Sequence, residues 1–250
     1  MNPDRPEPVI PEWMEPVRAA TRSITAGELS RYVPPPGSDP REGAVLMLFG
    51  EGPEGRDLLL TERAHHMRSH PGQISFPGGK LDPTDASPTA AALREAQEET
   101  GLDPAGVDVL GELPELWLPP SNFAVTTVIG WWREESPVGV VDPDEVHAVL
   151  RVPIDHLLDP AHRVTTMHPL GRLGPGFLLD GELLLWGFTA GIISRLFDHL
   201  GWTKPWDTEN LFEIQDWMIF GRNLDRADDI PDDIPEMPAP NTDFQEGPGR

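Results

Sequence analysis

The strongest constraint on this fold is the segment from Gly79 to Leu102, in which a glycine turn precedes the start and stop signals of one helix. Ser87 is a good N-cap, and Pro88 suits the first helical position because its missing N–H is not needed there. Gly101 tolerates the left-handed conformation that ends many helices. The segment therefore predicts a helix from about residue 88 to residue 100.

Three carboxylates occupy the second half of this predicted helix. Residues three and four positions apart lie on one side of a helix, so Glu95, Glu98 and Glu99 share a side. Like charges at these spacings repel, and Arg94 can pair with Glu98 to offset only part of the repulsion. Most such clusters are solvated faces, but here the Pro77-Gly78-Gly79 turn lets backbone groups approach an ion. The combination favours a site for hard cations such as Mg²⁺ or Mn²⁺.

The same segment resembles the Nudix box, whose pattern is G-x5-E-x7-R-E-U-x-E-E-x-G-U with U an aliphatic residue. Its second half is matched in full by Arg94 to Leu102, with Ala96 at the first aliphatic position. Counted from Gly79, Asp85 fills the early Glu position, and one extra residue separates it from Arg94. The half that carries the metal ligands in the family is intact.

A second motif lies directly upstream. The residues from Leu59 to Gly79 are similar to the signature L-L-T-x-R-[SA]-x3-R-x3-G-x3-F-P-G-G of the coenzyme A diphosphatase branch, and every specified position fits. The extra residue in the box is also typical of that branch. Weaker similarity continues through residues 142–146, 152–154 and 186–190.

The resemblance implies an α/β (α+β) Nudix fold, with a mixed β-sheet sandwiched between helices. It implies metal-dependent hydrolysis of the pyrophosphate bond of coenzyme A, or of an acyl-CoA, to 3′,5′-ADP and 4′-phosphopantetheine. Two alternatives stay open. One is a Nudix pyrophosphatase acting on ADP-ribose or on a dinucleotide such as NADH, and the other is a non-catalytic nucleotide-binding module.

The resemblance also implies roles for individual residues. The metal ligands for Mg²⁺ or Mn²⁺ would be Glu95, Glu98, Glu99 and Gly79. The catalytic carboxylates, which orient or deprotonate water, would be Glu98 and Glu145. The cationic contacts to the diphosphate substrate would be Arg63, Arg68 and Lys80, and arginine suits this task because its planar fork matches two oxygens.

Three histidines in the signature raise the alternative of a zinc site. The spacing of His65, His66 and His70 matches no zinc pattern, and a loop of this composition also uses histidine for turn contacts. We therefore interpret these histidines as loop residues.

The pattern of apolar runs and turn residues predicts four parts of the chain. Residues 1–41 form a proline-rich arm with one short helix near Trp13 to Arg22, 42–205 the Nudix domain, 206–222 an extension, and 223–250 an acidic, disordered tail. Residues 64–86 are expected to be mainly loop. The predicted strands are Ala44–Phe49, Asp57–Arg63, Val107–Leu113, Ala124–Trp132 and Glu145–Val152, with the first two as a hairpin. Further helices are predicted at Ile154–Leu158 and Leu183–Leu200.

Composition limits the partners. The formal net charge is -23, which argues against nucleic acid as a partner, and the absence of cysteine excludes disulfides and thiolate metal sites. No apolar run of about 18 residues is present, so a membrane span is not expected. The first residues lack the pattern of a secretory signal. We expect a cytoplasmic enzyme with a small-molecule diphosphate substrate, as a monomer or a homodimer.

Overall fold

The structure is a computed structural model of the 250-residue chain. It describes residues 8–30, 32, 34, 37–67, 70–119, 122–168, 171, 173–179, 183–215, 218 and 219. The predicted substrate contact Arg68 and the predicted disordered tail 223–250 lie outside the described residues.

Five α-helices and twelve strands make up the described part of the chain. The helices are α1 (Glu15–Ser23), α2 (Ala26–Leu29), α3 (Pro88–Thr100), α4 (Ile154–Leu157) and α5 (Gly187–His199). The first strands are β1 (Arg41–Gly52), β2 (Gly55–Arg63), β3 (Ile74–Ser75), β4 (Gly78–Lys80), β5 (Val107–Glu112) and β6 (Leu116–Leu118). The others are β7 (Phe123–Trp132), β8 (Val146–Pro153), β9 (Arg163–Met167), β10 (Leu173–Leu178), β11 (Leu184–Leu185) and β12 (Leu211–Glu213).

The main sheet is mixed and is built around β1. Strand β1 pairs in parallel with β7 and antiparallel with both β2 and β4. The strand order is β3-β2-β1-β7-β5, while β8 extends the sheet from β2 and β6 from β7. A second, four-stranded sheet has the order β11-β10-β9-β12.

Helices cover both faces of the main sheet. On one face, α3 packs its buried alanines against alternate residues of β1, and this layer includes Ala92, Ala96, Leu46 and Leu48. On the other face, α1 and α5 cover the remaining β1 and β2 side chains. The fully buried side chains of this layer include Val17, Met47, Leu60, Ile193 and Leu196. The predicted sandwich of a mixed sheet between helices is confirmed.

Helix α3 has the predicted boundaries. The Ser87 hydroxyl accepts a hydrogen bond from the Ala90 N–H at 3.2 Å, and Pro88 occupies the first turn. Gly101 ends the helix in the left-handed region, with φ of 73°. The local signals of cap, proline and glycine are sufficient to fix this helix because they satisfy or remove the terminal backbone groups.

Residues 64–86 are mainly loop, as predicted, although the short strands β3 and β4 within them pair with β2 and β1. One predicted helix boundary needs correction. The second long helix begins at Gly187 rather than Leu183, because Leu184 and Leu185 pair with β10 and Gly187 turns the chain at φ of 75°. The strands of the second sheet were not predicted, although the helix that follows β11 was.

No helix among the described residues is long and apolar enough to cross a bilayer.

The N-terminal segment packs onto the same core as the strands. Met14 and Val17 are fully buried, and Ala20 is 1% exposed. The Trp13 ring makes edge contacts with Phe49 and Trp131, at centroid distances of 6.2 and 5.8 Å. The predicted short helix is therefore α1, and it forms part of the layer that covers the sheet.

A buried ion pair holds β2 to β8. The Asp57 carboxylate, 6% exposed, accepts hydrogen bonds from Arg151 Nε at 2.7 Å and Nη2 at 3.1 Å. Burial raises the pKa of Asp57, although the bonds to Arg151 oppose this effect. A Cβ at Gly50 or Gly52 would lie 2.7 or 2.4 Å from this carboxylate, so a larger residue at either position would displace it.

Removal of this carboxylate is expected to destabilise the fold. We expect Asp57→Ala to lower the free energy of unfolding in urea by about 3 kcal/mol, the lower end of the range for broken buried pairs, because Arg151 keeps Glu135 as a second partner. The control is Asp155→Ala, which removes the 78% exposed partner of Arg56 and is expected to cost at most about 1 kcal/mol. Equal losses in the two variants would contradict the prediction.

Candidate functional site

The glycine turn and the acidic helix meet directly. Strand β4 pairs Gly79 with Ala44 of β1, and this pairing brings the turn beneath α3. A Cβ at Gly79 would lie 2.7 Å from the carboxyl carbon and from both carboxylate oxygens of Glu95. The Glu95 carboxylate therefore rests on the Gly79 backbone, and only glycine leaves it that space.

Glu99 is the most buried carboxylate of the helix. The residue is 6% exposed, and one of its oxygens accepts a hydrogen bond from the Gly78 N–H at 3.1 Å. The pKa of Glu99 is raised to about 8. Burial is the largest cause, the charges of Glu95 and Glu145 add to the rise, and the Gly78 hydrogen bond opposes it. A carboxylate this close to two others and so far from water needs a cation to remain ionised at low cost.

Arg94 organises the turn that leads into the helix. Its guanidinium bonds both oxygens of Asp85, at 3.1 and 2.9 Å, and also contacts Glu95 at 2.9 Å and Glu98 at 2.8 Å. The bonds to Asp85, followed by those to Glu95 and Glu98, raise the pKa of Arg94, and the bonds to Arg94 lower the pKa of Asp85. Asp85, the departure from the box pattern, therefore positions Arg94.

The other predicted residues border this region to different degrees. Glu98 is 59% exposed, and Glu145 is exposed immediately before β8. The charge of Glu145 contributes to raising the pKa of both Glu95 and Glu99, after burial, so it lies close to them. The Arg63 charge opposes the rise at Glu99, and Arg63 Nε is buried without an acceptor among the described residues.

Lys80 contributes to the site through its backbone. Its carbonyl oxygen accepts a hydrogen bond from Arg94 at 3.4 Å, and its side chain is exposed. The structure thus brings Gly79, Glu95, Glu99 and Arg63 into one neighbourhood. It leaves Glu98 and Lys80 at the rim of that neighbourhood.

Among the described residues, the groups of this neighbourhood that could bind a metal are oxygen donors, and we call it the oxygen-lined site. Carboxylates and a glycine backbone are the donors that Mg²⁺ and Mn²⁺ prefer, so the chemistry of the residues fits those ions. In the part of the chain described, the helix carboxylates do not form a set of three within 4.8 Å. Arg94 holds Glu95 and Glu98 from one side, and Gly78 holds Glu99 from the other.

A different cluster does have three possible metal ligands this close together, and the sequence did not predict it. The possible ligand atoms of Glu62, His65 and His147 all lie within 4.8 Å of one another. His66 instead contacts Asp144 at 3.5 Å, so the three loop histidines do not gather together. Only the pairing of β2 with β8 brings His147 near Glu62, and no spacing in the sequence signals that contact.

Comparison with known proteins identifies the family. The family profile described as NUDIX domain matches residues 39–169, which is more than half of the chain. The chain belongs to the Nudix family. This membership covers the acidic helix, the glycine turn and the strands around them, which are therefore parts of a Nudix hydrolase domain.

Curated relatives support the same membership. An uncharacterized Nudix hydrolase, NudL, of Escherichia coli strain K12 is 39% identical, over 66% of this chain and 85% of the relative. The NudL protein of Cronobacter sakazakii is 42% identical over the same shares. Both are described as uncharacterized, so they do not decide the substrate.

Solved structures give a more distant likeness. A Nudix hydrolase from M. Smegmatis, RenU, is 23% identical, and the match covers 63% of this chain and 84% of that chain with a TM-score of 0.42. The NUDIX domain of Shewanella oneidensis NrtR, solved with ADP ribose, is 22% identical over 54% of this chain and 87% of that chain, with a TM-score of 0.39.

Proposed function

We propose that this Nudix protein hydrolyses the pyrophosphate bond of coenzyme A, or of an acyl-CoA, to 3′,5′-ADP and 4′-phosphopantetheine. The observation that carries the proposal is the buried Glu99, which lies beside Glu95 on the Gly78-Gly79 turn and close to the charge of Arg63. This arrangement combines ligands for a divalent cation with a cationic group for phosphate.

Mg²⁺ or Mn²⁺ is the proposed cofactor. Glu95, Glu99 and the Gly79 backbone would hold the ions, with Glu98 as a further ligand. A bound divalent ion neutralises charge on the diphosphate and makes a nearby water more acidic. Arg94 would keep Glu95 and Glu98 in fixed orientations, because it bonds both of them and is itself held by Asp85.

Two carboxylates are the groups that we propose to act on water. Glu98 is the more exposed carboxylate of the helix, so it can reach a water at the mouth of the site and orient it or accept its proton. Glu145 is exposed immediately before β8 and is close enough to raise the pKa of Glu95 and Glu99. We propose Glu98 as the first candidate for this role and Glu145 as the second.

The cationic residues support a substrate with several phosphates. Arg63 has a buried Nε that no described acceptor satisfies, and a phosphate oxygen would satisfy it. Lys80 is exposed at the rim, and Arg68 belongs to the same signature. Coenzyme A carries a 3′-phosphate besides its diphosphate, and the signature from Leu59 to Gly79 favours it over ADP-ribose or NADH.

A comparison of four substrates tests the proposal. We expect coenzyme A to give the highest kcat/KM among coenzyme A, 3′-dephospho-coenzyme A, NADH and ADP-ribose, each assayed with Mg²⁺ and with Mn²⁺. The 3′-dephospho compound is the matched control, and we expect at least about a tenfold lower kcat/KM for it, since one charge-assisted phosphate contact contributes about 1.5–3 kcal/mol.

Product analysis completes this test. Chromatography should show 3′,5′-ADP and 4′-phosphopantetheine from coenzyme A. Equal or faster turnover of ADP-ribose would contradict the proposed substrate and leave the diphosphatase activity standing. Binding of metal without turnover of any of the four compounds would indicate a non-catalytic nucleotide-binding module instead.

A further inference from the structure

A second cluster of metal-ligating side chains lies outside the oxygen-lined site. Glu62 is near the end of β2, His65 is in the loop that follows, and His147 is the second residue of β8. Their ligand atoms all lie within 4.8 Å of one another. Strand pairing sets this arrangement, because β8 runs antiparallel to β2 with a bulge at Glu62 and Arg63.

Close contacts bring the three side chains together. His65 Nε2 lies 3.0 Å from Glu62 Oε1, and the rings of His65 and His147 are 4.6 Å apart at 70°. A Cβ at Gly72 would lie 2.7 Å from His65 Nδ1, so the ring fits only because residue 72 is a glycine. Gly72 also has a φ of 66°, a conformation that favours glycine.

The carboxylate of this cluster is buried. The Glu62 side chain is 7% exposed, and across the described residues its ion-pair partner is His65 rather than a lysine or arginine. A buried carboxylate is stabilised by a group that supplies positive charge. A divalent cation at this position would supply it while accepting nitrogen lone pairs from the two imidazoles.

We propose that Glu62, His65 and His147 form a site for a borderline transition-metal ion such as Zn²⁺. Two imidazole nitrogens and one carboxylate oxygen are a common ligand set for such ions, whereas Mg²⁺ prefers oxygen alone. Metal–ligand bonds of about 2.0–2.2 Å require the three donors to draw closer than they lie here, which small side-chain rotations at the two exposed histidines allow.

The site would tie together three parts of the chain. Its ligands come from the end of β2, the loop after it and the start of β8, so a bound ion would cross-link them. The same loop begins next to Arg63, and the Ala64 N–H donates to the Glu145 carbonyl oxygen at 2.9 Å. Zinc would therefore stiffen the segments that carry Arg63 and Glu145 of the proposed active site. It would not itself take part in that site.

Zinc titration of the full chain tests the proposal. The protein is freed of metal by chelation and titrated with Zn²⁺ in a large excess of Mg²⁺, which occupies the oxygen-lined site. We expect one Zn²⁺ per chain, and we expect Co²⁺ in its place to give visible absorption bands. Because zinc is held by only three protein ligands, His65→Ala and His147→Ala should each weaken binding at least about 100-fold.

Two variants serve as controls. His66→Ala removes a 61% exposed histidine of the same loop outside the cluster, and Glu95→Gln alters the oxygen-lined site. Both should keep the Zn²⁺ affinity of the unmodified chain. The proposal is overturned if Mg²⁺ displaces the zinc, if His66→Ala weakens it as much as His65→Ala does, or if His147→Ala, a change at an exposed side chain, leaves zinc affinity and the Co²⁺ bands unchanged.

Discussion

Glu99→Gln is expected to lower diphosphate hydrolysis by about 10² to 10³-fold, because metal charge stabilisation is worth several kcal/mol and each 1.4 kcal/mol is tenfold. Glutamine keeps the size of the side chain and can still accept the Gly78 N–H at this position. It loses the negative charge that a divalent ion needs. The loss should therefore appear in metal-dependent turnover, with a higher metal concentration needed for half-maximal rate.

The same substitution is expected to leave the metal-free fold at least as stable. Glu99 is 6% exposed, and burial raises its pKa to about 8, so the ionised form is disfavoured inside the protein. A neutral amide removes that cost. In thermal unfolding with a chelator, the variant should melt no lower than the unmodified chain. With Mg²⁺ or Mn²⁺ present, only the unmodified chain should gain stability, because only it binds the ion tightly.

The control for this pair of measurements is Glu134→Gln. Glu134 is 78% exposed, and its ion-pair partner among the described residues is Arg133 at the surface, so glutamine at this position should change neither turnover nor metal-dependent melting. Glu99→Gln with turnover within threefold of the unmodified chain would remove Glu99 from the metal site. A variant that is both inactive and clearly less stable would point to a packing role instead.

The contrast between Glu98 and Glu99 shows which features of the site could be predicted from the sequence. Helical spacing places both on one side of α3, and capping residues set the ends of that helix. Spacing does not reveal that Glu99 is buried and Glu98 59% exposed, because the exposure depends on how the helix packs on β1 and β4. Local signals therefore predict the helix and its acidic face, while tertiary packing assigns the environment of each carboxylate.

Features that depend on contacts distant in sequence could not be predicted. Strands β3 and β4 have two and three residues, too short for any alternation of apolar and polar residues to show. The part of Asp85 in holding Arg94 appears only once the turn has folded back on the helix. His147 joins Glu62 through the β2–β8 pairing, so its place in a cluster is equally invisible in the sequence.

Gly79→Ala is expected to reduce turnover by about 10²-fold, the cost of misplacing a catalytic group by about 1 Å, with little loss of stability. An alanine Cβ would lie 2.7 Å from both carboxylate oxygens of Glu95, closer than real contacts allow. Those oxygens are the end of a flexible side chain, so Glu95 can move away and the fold survives. The displaced carboxylate then no longer faces the position where the metal is proposed to bind.

Gly174→Ala is the matched control. Gly174 also lies in a strand with φ outside the left-handed region, and its nearest neighbour to a new Cβ is Thr166 Oγ1 at 3.7 Å, an ordinary contact. The two variants should then differ in steady-state turnover and agree in thermal melting. Gly174→Ala should match the unmodified chain in both, and Gly79→Ala should match it in melting alone.

A double-mutant cycle distinguishes displacement of Glu95 from general damage to the turn. If Gly79→Ala acts by moving the Glu95 carboxylate, it should cost little in a chain that already carries Glu95→Gln, and the two effects should be far from additive. Full additivity would mean that the alanine disturbs something other than Glu95. Because β4 pairs with β1 through Gly79 and Ala44, that outcome would move attention to the backbone of the turn itself as the group that contacts the metal or the diphosphate.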